Sequence, residues 1–220
     1  MTLELVYFDI PGKGEPIRLA CAYAGIELKD TRIDRATLSA LKEDGTLRYG
    51  QVPALIVDGG KAVINQSNAI LRYLGRVPSM DKIYPSDPLA ASLVDSILDA
   101  EADMFAGLSC SKYKARFGYS ILEDRSDSEE LLGEVRKSLN NEVLPRHLGN
   151  LEKLAENSTT GWIANTANPS IADFVLVPRL QWLAGFGEGI SEDILKPFTK
   201  LTGIMDRLMA LPEVVAYYEK

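Results

Sequence analysis

The chain of 220 residues has only two cysteines and one histidine. Cys21 and Cys110 lie far apart and form no CxxC, which leaves neither a disulfide framework nor a zinc knuckle supported. His147 alone rules out a histidine-rich metal site, so no metal is expected. No apolar run approaches the roughly 18 residues that a membrane span needs. The opening Met1-Thr2-Leu3-Glu4 lacks the basic start of a secretory signal. A soluble cytoplasmic protein without a membrane partner is the expectation. Positive charge is scarce in the second half: residues 1–80 carry 10 basic and 9 acidic side chains, and the rest carry 14 and 22. An acidic surface of that kind repels nucleic acid and anionic lipid. What the chain does have is 46% hydrophobic composition, enough for one large domain or two small ones.

Residues 1–77 read as mixed α/β. Leu3–Phe8 is a strand, and the turn Asp9–Gly14 leads into a helix from Glu15 to Ala24, with Pro16 suited to its first turn and Gly25 stopping it. Ile26–Ile33 alternates as a second strand, and Ala36–Glu43 reads as a short helix. Ala54–Val57 and Ala62–Ile64 flank the turn Asp58-Gly59-Gly60-Lys61 as a hairpin. A helix over Ser67–Leu74 ends at Gly75, giving the order β-α-β-α-β-β-α. Residues 78–85, with Pro78 and Pro85, read as a linker, and 86–220 as an all-α domain. There Leu89, Leu93 and Ile97 share one face, and Leu131, Leu132, Val135 and Leu139 another. Ser170-Ile171-Ala172-Asp173 has the pattern of a capping box before the apolar run Phe174–Leu180, in which Pro178 costs one hydrogen bond.

Three positions suggest chemistry, and each has a plain structural alternative. Tyr7, ending a strand, could donate its hydroxyl to a sulfur and favour the thiolate; it could equally be a buried strand tyrosine. Val52 is held extended by Pro53, and its backbone could pair with an extended peptide, or the dipeptide could be a turn. Gln66 and Ser67 precede a helix whose outward amides suit a carboxylate, although Ser67 could simply be an N-cap. Asp95, Asp99 and Asp103 stack on one helical face, facing water or holding a ligand ammonium. Cys21 and His147 read as structural.

Taken in order, Val6-Tyr7-Phe8, Ile17-Arg18-Leu19, Ala22-Tyr23-Ala24-Gly25-Ile26, Gly50-Gln51-Val52-Pro53-Ala54-Leu55, Gln66–Leu74 and Ser170–Phe174 resemble the pattern of a cytosolic glutathione transferase. The likeness is to the tyrosine-dependent kind, with sigma-like and pi-like members nearest in pattern. It implies a thioredoxin-like N-terminal domain, an all-helical C-terminal domain and a homodimer. It also implies glutathione as co-substrate, no other cofactor, and a small hydrophobic electrophile as the second substrate. By resemblance, Tyr7 bonds the glutathione sulfur, Val52 before a cis Pro53 pairs with the cysteinyl backbone, and Gln66 and Ser67 hold the γ-glutamyl carboxylate. Asp99 is similar to the aspartate that reaches the ammonium of the neighbouring subunit's glutathione. Lys13, Lys42 and Gln51 resemble residues around the polar ends of the tripeptide. Phe8, Ile10 and Phe105 are the expected electrophile pocket. Many relatives carry a tryptophan near position 38, where this chain has Leu38, so more of the carboxylate binding is expected of Lys42. The stretch Phe105–Tyr119 matches no class closely. A glutathione-dependent isomerase like the prostaglandin D synthases, and a non-catalytic ligand-binding or structural member, are the alternatives the resemblance carries.

Overall fold

A computed structural model describes residues 1–122 and 124–219, with residues 79–81 described by backbone alone. Four strands, β1 (Leu3–Phe8), β2 (Lys29–Ile33), β3 (Ala54–Val57) and β4 (Ala62–Asn65), form one mixed sheet in the order β2-β1-β3-β4. β1 pairs parallel with β2 and antiparallel with β3, which pairs antiparallel with β4. Central β1 is buried on both faces, which is why Leu3, Leu5, Val6 and Tyr7 form a nearly continuous apolar run. Three helices complete this module: α1 (Glu15–Ala24), α2 (Arg35–Glu43) and α3 (Ser67–Leu74). The observed order matches the β-α-β-α-β-β-α reading.

Local chemistry accounts for the boundaries. Gly25 closes α1 in the left-handed region at φ 69°, and the Ile26 N–H returns to the Cys21 carbonyl at 2.9 Å. That cap spends the residues expected to begin the second strand, so pairing with Glu4 starts only at Lys29. Asp34 caps α2 by accepting from the Thr37 N–H at 2.8 Å, which brings the helix start forward to Arg35. The hairpin turn forms through positive φ at Asp58, Gly59 and Gly60.

The second part is helical: α4 (Pro88–Lys112), α5 (Ser128–Ser138), a π-helical turn at Leu139–Val143, α6 (Leu144–Glu156), α7 (Ile171–Ala184), α8 (Thr199–Met209) and α9 (Pro212–Tyr218). The expected α4 face is corrected. Leu89 and Leu93 are exposed, and Val94, Leu98, Glu101 and Phe105 are buried instead. Ile97 is buried but does not share an inward stripe with the two leucines. On α5, Leu131 and Val135 are likewise exposed while Arg136 is buried. In both helices apolar residues occupy several faces, and the packing of α4 on α7, α6 and α5 selects among them. At the end of the 78–85 linker, Ile83 and Tyr84 are buried and Tyr84 donates to Asp95 at 3.0 Å.

α7 is the axle of the helical part, packing on α1, α4 and α8. Its start is held by the expected capping box. The Asp173 carboxylate accepts from the Ser170 N–H at 2.8 Å and the Ser170 hydroxyl at 2.9 Å, and also from the Ile163 N–H at 2.9 Å. The two parts share one apolar core, with the Tyr23 and Phe174 rings 5.5 Å apart across the junction.

α9 folds back onto α1. Tyr217 donates to Glu15 Oε2 at 3.3 Å and Tyr218 to Oε1 at 2.8 Å. Burial and then the Glu15 charge push the Tyr217 hydroxyl up to about 12, and the same causes raise Tyr218. An unfolded tyrosine titrates near 10, so the native state holds these protons longer. The clasp therefore contributes fully below about pH 10 and is lost as pH rises through about 12. Urea midpoints measured from pH 9 to 12 should fall steeply in the wild type and less steeply in Tyr217→Phe and Tyr218→Phe. Equal slopes would remove this role for the clasp.

Candidate active site

The loop after β1 is built around the Tyr7 ring. A Cβ at Gly14 would sit 2.7 Å from Tyr7 Cδ1, and one at Gly12, whose φ is 43°, would sit 2.6 Å from the Tyr7 hydroxyl. Only glycine lets the chain wrap the ring this closely. Buried Arg18 holds the same loop from below, donating to the carbonyls of Ile10 at 2.9 Å and Pro11 at 3.3 Å. Glu15 and Asp30 compensate its charge at 3.2 and 3.0 Å.

Tyr7 is thus fixed with its hydroxyl oxygen accepting from the Lys13 N–H at 3.0 Å. That bond occupies a lone pair and leaves the hydroxyl hydrogen to donate. Burial raises the Tyr7 hydroxyl above its ordinary value, partly offset by the Lys13 amide and the charges of Arg179 and Arg18. At neutral pH the residue is therefore a neutral phenol and a donor.

Lys13, Gln51, Val52, Pro53, Gln66 and Ser67, all singled out in the sequence, line one cleft. The Val52–Pro53 peptide is cis. Register with both neighbouring strands ends at Ala54, so Val52 lies beyond the ladder. Gln66 rather than Ser67 is the N-cap of α3, and it adopts φ 76°, a region costly for a residue with a side chain. Ser67 is the first helical residue, so its backbone N–H is among those of the first turn without a helical partner. The Lys13 ammonium is pushed below its ordinary value, first by desolvation and then by the Arg179 and Arg116 charges, against an opposing pull from Glu101.

The other expected residues fall elsewhere. Lys42 is exposed and not part of the cleft lining; a Cβ at Gly50 would come within 3.8 Å of its Cε. Asp99 is 77% exposed and lies 3.6 Å from Arg72 Nη2. Of the aspartate stripe, Asp99 and Asp103 are exposed, whereas Asp95 accepts from Arg72 of α3 at 2.7 Å and so ties α3 to α4. Phe8 is half-buried, with its ring 5.8 Å from that of Tyr7, and Ile10 is 52% exposed. Phe105 is only 4% exposed, with Arg179 over its face at 4.7 Å and the Trp182 ring at 5.4 Å. It is wall packing rather than an open surface. Cys21 is a core residue whose thiol burial pushes up to about 12, consistent with the structural reading.

Three nearby residues escaped the sequence reading. Arg116 joins the cleft lining from beyond α4. Arg179, on α7, is held by Glu101 at 2.6 Å, and its charge acts on both Tyr7 and Lys13. Tyr113, half-exposed at the end of α4, also acts electrostatically on Tyr7. No local motif marks any of them, since each arrives through a contact distant in sequence.

Comparison with known proteins converges on one family. The models for the N-terminal and C-terminal domains of glutathione S-transferase match residues 3–76 and 117–220. Glutathione S-transferase 1 of Ascaris suum is 32% identical, over 96% of this chain and 92% of its own length. A hematopoietic prostaglandin D synthase of Gallus gallus is 27% identical, over 99% and 95%. The solved prostaglandin synthase D of Nilaparvata lugens superposes with a TM-score of 0.79 at 28% identity, covering 100% of this chain and 98% of that one. With a thioredoxin-like module bearing the tyrosine and the cleft, followed by a helical domain, the chain belongs to the glutathione S-transferase family.

Proposed function

We propose that the chain binds glutathione along the cleft and transfers it to hydrophobic electrophiles, with Tyr7 stabilising the thiolate. The observation that carries this reading is the Tyr7 hydroxyl, which is neutral, anchored by the Lys13 amide and left with a hydrogen to donate. The peptide's cysteinyl backbone pairs with Val52, and its γ-glutamyl carboxylate sits at Gln66, Ser67 and the start of α3. The thiol proton leaves to solvent, and Tyr7 keeps its own while bonding the sulfur. With an aryl chloride, the sulfur forms the new carbon–sulfur bond and chloride departs with the electron pair of the broken bond. Tyr113, Phe8 and Ile10 supply the apolar side from which the electrophile approaches.

A homodimer belongs to the same reading, with Asp99 turned toward the partner's bound tripeptide. A cytoplasmic, detoxifying role is part of it too, supported by family membership. No helix among the described residues is long and apolar enough to cross a membrane.

Retention on immobilised glutathione, together with conjugation of a chlorodinitrobenzene, tests the proposal. Both are expected. Retention without turnover would favour a binding protein instead. The prostaglandin D synthase names among the similar proteins give an isomerase reading specific support. It uses the same thiolate but returns glutathione intact, so glutathione consumption during incubation with a prostaglandin endoperoxide separates the two.

A further inference from the structure

The polar cleft is completed from the far domain. Arg116 lies in the 3-10 turn Lys114–Phe117 that follows α4, and one of its terminal guanidinium nitrogens donates to Gln51 Oε1 at 2.6 Å. The bond spans 65 positions of sequence and joins the helical domain to the loop ahead of Pro53. Arg116 and Lys13 are the two cations among the described residues lining the cleft, and no carboxylate accompanies them there. The Arg116 charge reaches the Lys13 ammonium and helps depress it. Two cations with no carboxylate beside them in the lining, next to a helix N-terminus, suit an extended ligand with two carboxylates. The start of α3 accommodates one of these. The other needs a donor, and the two positions that family likeness ties to that carboxylate, 38 and 42, are not in the cleft lining, which leaves Arg116 beside Lys13 as the cations within it. Leu38 is half-buried and offers no side-chain donor, and Lys42 lies outside the lining. A guanidinium spending one of its five donors on Gln51 has others with which to grip a carboxylate.

We propose that Arg116 is a latch that takes the glycyl carboxylate of glutathione across the cleft and so couples the segment after α4 to peptide binding. The inference rests on the transferase reading and adds a specificity-determining residue to it. The same short segment carries Tyr113 and Phe117, both exposed.

The test is steady-state kinetics of the wild type, Arg116→Ala and Arg116→Lys, with glutathione and with its glycinamide, which lacks that carboxylate. Arg116→Ala should raise the KM for glutathione about tenfold, the size of one charge-assisted hydrogen bond, and change kcat by less than about twofold. With the glycinamide the alanine variant should match the wild type. Arg116→Lys should recover only part of the loss, because an ammonium cannot offer the planar fork. An unchanged KM, an equal loss with both peptides, or a fall in kcat alone would overturn the latch. Because Arg116 is exposed, its removal leaves the core untouched. An active wild type indifferent to Arg116 removes the latch alone, whereas a wild type that neither binds nor conjugates glutathione removes the transferase reading and the latch with it.

Discussion

Tyr7→Phe should lower turnover of a chlorodinitrobenzene by about tenfold or more while glutathione still binds with nearly its original KM. A hydrogen bond to a charged sulfur contributes about 1.5 to 3 kcal/mol, which corresponds to roughly one to two pKa units. A thiol that titrates near 8.5 when free would fall to about 7, raising its ionised share at neutral pH from a few per cent to near half. The phenylalanine ring fits the space that Gly12 and Gly14 leave, so the loop keeps its shape. Lys13 loses the acceptor for its amide. Ultraviolet titration of the thiolate in the enzyme–glutathione complex should show the midpoint returning toward the free value in the variant. An unchanged midpoint and unchanged turnover together would remove Tyr7 from the chemistry. Burial raises the Tyr7 hydroxyl, so the donor form persists above neutral pH. The rise of activity with pH then belongs to the sulfur and not to the phenol.

Asp173→Ala should be the most damaging substitution for stability, lowering the thermal midpoint by about 10 °C. The carboxylate is fully buried and receives three donors, two of which are the backbone amides of Ser170 and Ile163. Each amide left buried without a partner costs about 1 to 3 kcal/mol, and Asp173→Ala leaves two of them. A total near 4 kcal/mol, at about 2 to 4 °C per kcal/mol for a chain of this length, gives that shift. Burial pushes the carboxyl above its ordinary value, and the three donors pull it part of the way back. Ser170→Ala should cost less, since it deletes one hydroxyl and leaves both amides satisfied. Calorimetry on the three proteins checks the order. A drop under about 2 °C for Asp173→Ala would show that the α7 cap is dispensable.

The N-terminal module was legible because its signals are local. Gly25 ends a helix, the Asp58–Lys61 turn makes a hairpin, and Tyr7, Gln51, Val52, Gln66 and Ser67 sit at or beside strand and helix ends, where side chains and amides point out of the sheet. The strand start at Lys29 was misplaced because the α1 cap, invisible to alternation, consumes Ile26. In α4 the periodicity of Leu89 and Leu93 competes with that of Val94 and Leu98, and only the neighbouring helices decide which is buried. Arg116 and Arg179 were illegible for a related reason. Their partners, Gln51 and Glu101, are 65 and 78 positions away, and nothing in the residues around either arginine distinguishes it from a solvated surface cation. Phe105, expected in the electrophile pocket, is covered by Arg179 and Trp182, partners that its own sequence neighbourhood does not reveal.

The contact between Tyr217, Tyr218 and Glu15 joins positions about two hundred apart, and it has a consequence for the order of events during biosynthesis. The sheet can assemble as soon as residue 65 clears the ribosome, but Glu15, one of the two carboxylates that partner Arg18, is not clamped until residue 218 emerges. The loop around Tyr7 gains this brace only after α9 has been translated.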